Sequence, residues 1–104
     1  MTTFHLVTVT RSTGTGSSGA LIYTRGAQIF GWEFMERQKT IMTTGGNLVL
    51  AEGTLRISEP RLSYGAILTK DSAQMFRVVR VFHGRAGRDA YSLVSESGKL
   101  VIPP

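Results

Sequence analysis

The chain has 104 residues, of which 41% are hydrophobic, so one domain with a modest core is expected over residues 1–104. The absence of cysteine excludes disulfides, a thiolate nucleophile and a cysteine-type zinc site, and no apolar run reaches the roughly 18 residues of a membrane span. A formal net charge of +5 favours a polyanionic partner, since each phosphate that a cation neutralises releases counterions. The cations are dispersed along the chain, however, and do not form the charged run of a nucleic-acid-binding tail.

Short runs of β-branched and aromatic residues, separated by Gly, Ser and Asn, follow one another along the chain and are typical of strands. The predicted strands cover residues 4–10, 20–24, 28–34, 37–43, 48–57, 66–69, 74–82, 90–95 and 99–102. The twelve glycines fit turns, bulges and barrel corners better than helix interiors. We therefore predict an all-β chain. Two points stay open, namely a break of strand 48–57 at Gly53 and a short helix around residues 31–38.

The connection after the first predicted strand is rich in Gly, Ser and Thr. It consists of Arg11, Ser12, Thr13, Gly14, Thr15, Gly16, Ser17, Ser18 and Gly19. These side chains bury too little area to offset the entropy of ordering, so residues 11–19 are predicted to form a long flexible loop. Its glycines match the G-x-G-x-x-G pattern of dinucleotide-binding proteins, but a strand pattern follows where that site needs a helix. We interpret the glycines as a source of flexibility.

Three patterns further along the chain predict local structure. Gly45-Gly46 suits the positive φ angles of a two-residue hairpin loop, which would pair Thr44 with Asn47. Residues 74–82 are apolar on both faces, as in a barrel wall that a neighbour covers from outside. The aromatic side chains of Phe30, Trp32 and Phe34 alternate along one predicted strand, and we favour a place in the core over an exposed interface for this group.

Residues that carry chemistry are few and scattered. The two histidines, His5 and His83, are far apart and form no metal motif with the singly placed acidic residues. The Ser and Thr residues lack a G-x-S-x-G elbow, so β propensity explains them better than nucleophilic catalysis. Arg85 and Arg88 lie at a predicted hairpin tip. We therefore expect no enzymatic activity, no metal and no cofactor.

Residues 36–94 resemble the phage head–tail joining proteins, which are also called head-closure or stopper proteins. The resemblance rests on the basic strand 37–41, the Gly45-Gly46 turn, the return strand 51–57 and the paired segments 65–68 and 76–81. The opening strand with the Gly-rich loop after it is also similar. The chain departs from the family at Gly65-Ala66, where many relatives have Gly-Asp.

The resemblance implies a small single-domain β-barrel, SH3-like or related, that forms a homo-oligomeric ring in the virion neck. The ring would sit between the portal–adaptor complex and the tail terminator or tail tube, retain packaged double-stranded DNA and dock the tail. Loop 11–19 is then the candidate lumen loop. Arg85 and Arg88 are candidates for a contact with DNA phosphate or with acidic groups of a neighbouring subunit, and we favour the second. Assembly is expected in the host cytoplasm, without a membrane.

Two alternatives stay open at this point. A nucleic-acid-binding β-barrel of the OB or SH3-like type would explain the net charge, with Tyr64 and Tyr91 stacking on bases. A tail-completion or tail-terminator subunit would share the partners of a stopper and lie one layer lower in the particle.

Overall fold

A computed structural model of the chain describes residues 2–12, 19–31, 33–57, 61–70, 74–84 and 89–103. Over these residues it contains eight β-strands and no helix, which confirms the all-β prediction. The strands are β1 (Thr2–Arg11), β2 (Leu21–Gly31), β3 (Glu33–Met42), β4 (Leu48–Ile57), β5 (Ile67–Lys70), β6 (Gln74–Phe82), β7 (Asp89–Glu96) and β8 (Leu100–Val101). In residues 31–38, for which a short helix was left open, the structure has the end of β2 and the first part of β3.

The eight strands form one sheet in the order β3-β4-β7-β6-β5-β1-β2-β8. Neighbouring strands are antiparallel, except that β8 runs parallel to β2. The edge strands β3 and β8 do not pair with each other, so the described strands do not close into the expected barrel. The physical reason is the length of β8, which spans only Leu100–Val101 and provides too few backbone groups for a closing ladder.

The open sheet nevertheless curls far enough to enclose a core. Phe34 on β3 packs edge-to-face against Phe4 on β1, with 5.2 Å between ring centroids, and its centroid lies 5.8 Å from that of Phe76 on β6. The ladders are interrupted in β1, in β3 and in β6, and such bulges increase the local twist and bend a strand. The curl brings β3 onto β1 although four strands separate them within the sheet.

The core lies between the two halves of the curled sheet. Its fully buried side chains include Phe4, Leu55, Ile57, Leu68, Phe76, Val78, Tyr91 and Leu93. The predicted covering of residues 74–82 on both faces is confirmed for the middle of β6, where Val78 points into this core while Met75 and Val79 pack into two smaller apolar clusters, but Phe82 at its end is exposed. Other parts of this same chain provide the cover, so β6 needs no neighbouring subunit for it.

Two glycines that predicted chain breaks lie inside continuous strands. β2 continues through Gly26, where a Cβ atom would come within 3.2 Å of the Leu6 carbonyl oxygen. β4 continues through Gly53, over which the Phe34 ring lies so closely that a Cβ atom would be 2.6 Å from its Cε1 atom. The structure therefore contradicts the predicted separation of strands 20–24 and 28–34. It also shows no break at Gly53. In both places glycine allows a close approach and does not end the strand.

The predicted hairpin at Gly45-Gly46 is confirmed, but its loop is longer than expected. The N–H of Gly46 donates to the Thr43 carbonyl at 3.0 Å, and the Thr43 N–H donates to the Asn47 carbonyl at 2.7 Å. Only Gly46 of the pair has a positive φ, at 90°. This geometry is a three-residue loop closed by a bulge, so the predicted pairing of Thr44 with Asn47 is wrong.

Candidate binding surface

The described ends of loop 11–19 are tied together by hydrogen bonds. The Arg11 Nη1 atom donates to the Gly19 carbonyl at 2.7 Å, and the Ser12 N–H donates to the Ala20 carbonyl at 2.9 Å. These contacts extend the β1–β2 hairpin to the base of the loop. Thr13, Gly14, Thr15, Gly16, Ser17 and Ser18 lie outside the described residues. The proposed lumen role of the loop thus stays a prediction.

Arg85 and Arg88 also lie outside the described residues, but the base of their loop contains a polar cluster that the sequence did not reveal. Asp89 is 0% exposed, and its carboxylate lies 3.3 Å from Arg61 Nε and 3.5 Å from His83 Nδ1. A buried carboxylate is tolerated when cations and donors surround it. His83 is thus one of the side chains that contact this buried carboxylate.

Tyr91 joins this cluster to the chain before β5. Its hydroxyl donates to Asp89 Oδ2 at 3.3 Å and accepts the Leu62 N–H at 2.9 Å. Burial, which is the largest cause, raises the pKa of the Tyr91 phenol above its usual value. Tyr91 is fully buried, so it cannot stack on bases as the nucleic-acid alternative requires, whereas Tyr64 is exposed. The arrangement fixes segment 61–63 against β7 and is structural.

A second polar cluster joins β2, β6 and β7. Arg77 contacts Glu96 through two hydrogen bonds of 3.0 and 2.7 Å, and the Tyr23 hydroxyl donates to the same carboxylate at 2.9 Å. The hydrogen bonds from Arg77 are the largest cause that lowers the pKa of the Glu96 carboxyl below its usual value. All three side chains use each other as partners, so this cluster holds strands together and leaves no reactive group.

The strand register places two rows of side chains on the outer face of β3, β4, β7 and β6. Residues directly opposite each other in an antiparallel pair share a face of the sheet. One row consists of Met35, Thr54, Ser92 and Arg80, and the next consists of Glu33, Arg56, Ala90 and Phe82. Except for Arg56 on β4, the side chains on the two central strands are small, whereas those on β3 and β6 are long. The face is therefore a trough with raised sides.

This trough has a volume of about 240 Å³ and is lined by four cations. Arg37 and Lys39 stand on β3, Arg56 on β4 and Arg80 on β6. Arg56 pairs with Glu33 at 3.2 Å, and none of the carboxylates that the structure describes forms an ion pair with the other three cations. We call this surface the basic trough. Its cations are far apart in the sequence. Arg56 and Arg80 stand in neighbouring outer rows, whereas Arg37 lies in the bulge of β3, and all four cations line one cavity.

Another cavity, of about 300 Å³, lies beside the bulge of β3 and is lined by Glu36, Arg37, Gln38, Glu52, Gln74 and Phe76. Its carboxylates already have partners within the chain. Glu36 contacts Lys70 Nζ at 2.8 Å, and Glu52 accepts a hydrogen bond from the Ser95 hydroxyl. With both acids paired, Arg37 is the one charged side chain of this lining without a hydrogen-bond or ion-pair partner among the described residues, against three in the basic trough, so this cavity is the weaker candidate.

Two apolar surfaces lie toward opposite ends of the sheet. On the β3–β4 hairpin, Met42 is opposite Leu48 and Leu50 follows on the same face; Leu48 is 71% exposed. We call these three side chains the hairpin patch. Near the other edge, five apolar side chains are exposed on both faces of the sheet: Val9 and Leu21 on one face, Ile22 and Val101 on the other, and Ile102 just after β8. We call these five the sheet-end patch.

The aromatic group predicted to share one strand is divided by the structure. Phe30 ends β2 and is exposed, Phe34 begins β3 and packs against the core, and Trp32 lies outside the described residues. The predicted place in the core is therefore confirmed for Phe34 and wrong for Phe30. The alternation was a valid strand signal, but the chain passes from one strand to the next within it.

The described residues contain no group of three or more His, Asp or Glu side chains that could hold a metal ion. In the same part of the chain, no helix is long and apolar enough to cross a membrane. Comparison of the chain with protein-family models, with curated proteins and with solved structures found no match. The candidate sites therefore rest on the geometry of the basic trough and of the two apolar patches.

Proposed function

We propose that the chain is a structural subunit of a phage neck, a head-closure or stopper protein with no catalytic activity of its own. In this proposal, copies form a ring between the portal–adaptor complex and the tail, retain packaged DNA and dock the tail. The proposal starts from the resemblance of residues 36–94 to that family. Its strongest structural support is the pair of apolar patches toward opposite ends of one sheet.

The two patches differ in composition and lie on different strands, so a contact between them would join one copy to the next head to tail. Such a heterologous contact generates a closed ring when the rotation between subunits permits it. The exposed apolar side chains of the hairpin patch also exceed the scattered single residues that are normal on a monomer. The resemblance implies a closed SH3-like barrel, whereas the described strands form an open sheet with edge strands β3 and β8. Subunit contacts of this kind would cover those two edge strands.

Two remaining parts of the chain fit this role as proposals. The base of loop 11–19, held by Arg11 and Gly19, lies at one end of the β1–β2 hairpin, and we retain this loop as the one that enters the lumen of the ring. Arg85 and Arg88 follow β6 and precede the Asp89 cluster, and we retain them as contacts to acidic groups of a neighbouring subunit or to DNA phosphate. A tail-completion subunit would use the same surfaces one layer lower.

The second candidate function is a nucleic-acid-binding sheet, and the observation that favours it is the basic trough. Its four cations and the net charge of +5 provide the electrostatic attraction that a phosphate backbone requires. The burial of Tyr91 removes one of the two aromatic side chains expected to stack on bases. If the chain has this function, the isolated chain should bind short oligonucleotides, and this binding should weaken as the salt concentration rises.

The genes on either side of this one provide the test that separates the two functions. Virion morphogenesis genes tend to cluster, so a neck protein should lie between portal, capsid and terminase genes on one side and tail genes on the other. Sequencing the flanking DNA checks this expectation. Neighbours that serve replication, transcription or metabolism would contradict the neck proposal and favour the nucleic-acid-binding sheet.

A further inference from the structure

We propose that the basic trough binds an extended acidic segment of a partner polypeptide. Carboxylates of that segment would meet Arg37 and Lys39 on β3 while its apolar side chains lie against Phe82 on β6, or they would meet Arg80 on β6 while its apolar side chains lie against Met35 on β3. This inference goes beyond the neck role, because it concerns the isolated chain and does not require a ring.

The charges of the trough select an acidic occupant. Three of its four cations have no ion-pair partner among the described carboxylates, and Glu33 beside it is already paired with Arg56. A second copy of this chain is a poor occupant, because its seven Asp and Glu residues are placed singly along the sequence and provide no acidic segment. Complementary charge across an interface instead favours a segment rich in Asp and Glu.

The dimensions of the trough favour a polypeptide over a nucleic acid. Along the strands it extends from the row of Arg56 to that of Ala51, a span of about 17 Å at ~3.4 Å per residue, which accommodates about five residues of extended chain. A single strand would gain affinity by stacking on aromatic rings, and Phe82 is the only aromatic side chain among the described residues that line this trough.

The floor and the rim suit an extended chain in which acidic and apolar residues alternate. Thr54, Ala90 and Ser92 are small, so a backbone can approach the floor, and the two hydroxyl groups can exchange hydrogen bonds with its peptide groups. Phe82 is 61% exposed on one rim, and Met35 is exposed on the other. An extended segment directs successive side chains to opposite sides, so alternation lets it meet both the cations and these apolar side chains.

The test measures fluorescence anisotropy of a labelled peptide of about eight alternating Glu and Val residues, long enough to span the trough, with the isolated full-length chain. The trough variant is R37E/R80E. The matched control is R25E/K99E, whose positions lie on β2 and just before β8, away from the trough. Each reversal removes two units of charge, so both double variants fall from +5 to +1 and differ only in where the charge is lost.

We expect saturable binding of the Glu/Val peptide that weakens with salt, because its ion pairs are exposed. The R37E/R80E variant should bind it about ten-fold or more weakly than the wild type, whereas R25E/K99E should stay within about two-fold, since charge-pair losses are local. An equal loss of peptide affinity in the two variants would show a nonspecific effect of net charge. It would contradict the basic trough as the binding site.

Two further probes complete the test. A peptide with Gln in place of every Glu should not bind, because the unpartnered cations then have no carboxylate to meet. A single-stranded oligonucleotide of similar length should bind more weakly than the Glu/Val peptide. The wild type could instead bind the oligonucleotide and not the peptide, with that binding lost in R37E/R80E and kept in R25E/K99E. This result would overturn the proposal of a polypeptide occupant and assign the trough to nucleic acid. Absence of binding to both probes would overturn the proposal.

Discussion

Replacing both Leu48 and Leu50 with Glu in the parent phage should leave filled heads and free tails unjoined. These side chains are largely exposed, so the double variant L48E/L50E should fold with a free energy of unfolding within about 1 kcal/mol of the wild type. An apolar anchor of a protein interface contributes about 2 kcal/mol or more, and a ring repeats the contact at every subunit. Counting infectious particles and examining the lysate by electron microscopy measures the effect.

The matched control for this prediction changes the same two positions but keeps their chemistry. The double variant L48V/L50V retains apolar side chains with high strand propensity, so it should give normal particles. Urea unfolding of the three purified proteins shows whether the fold is intact. A normal titre of L48E/L50E phage would mean that the hairpin patch is not a subunit contact, and it would remove the main structural support for the ring.

Replacement of Asp89 by Asn should destabilise the fold by about 2 kcal/mol, which for a domain of this size lowers Tm by roughly 10 °C. Asn has nearly the same shape as Asp but lacks the charge that faces Arg61 and His83. The Asp89 Oδ1 atom has no hydrogen-bond partner in the structure, so an Asn amide placed there would leave buried donors unsatisfied. The partial exposure of Arg61 keeps the expected loss below that of a fully buried pair.

Glu36 provides the control for the D89N variant. Its carboxylate pairs with Lys70 at 2.8 Å but is exposed, so E36Q makes the same change of charge at the surface. Exposed ion pairs contribute about 0 to 1 kcal/mol, and the E36Q protein should unfold close to the wild-type temperature. Equal thermal unfolding of D89N and E36Q would contradict the structural role of the buried cluster.

The all-β class and most strand positions could be predicted because strands leave a local pattern. β-branched and aromatic residues alternate, and the Gly45-Gly46 pair marks a tight turn. The errors arose where a tertiary contact decides the outcome. Gly26 and Gly53 look like breaks in the sequence, but in the fold they make room for a backbone and for the Phe34 ring. Closure of a barrel likewise depends on whether the last strand is long enough to pair, which composition does not reveal.

The candidate binding surface could not be predicted because it exists only in the fold. Arg37, Lys39, Arg56 and Arg80 are dispersed over 44 positions of the sequence, so they look like ordinary surface charge. Strand pairing places Arg56 and Arg80 in neighbouring outer rows, Arg37 lies in the bulge of β3, and all four cations line one cavity. Asp89 was missed for a similar reason, since an acidic residue next to a predicted hairpin tip gives no sign that it is buried. Knowledge of how the strands pair and curl would have been needed to find the four cations of the trough or the buried Asp89.

The most direct test of the neck proposal is electron microscopy of a lysate from the parent phage with a stop codon in this gene. The proposal predicts separate heads and tails, with joined particles restored when the wild-type chain is supplied from a plasmid. Normal infectious particles from the stop-codon phage would contradict it.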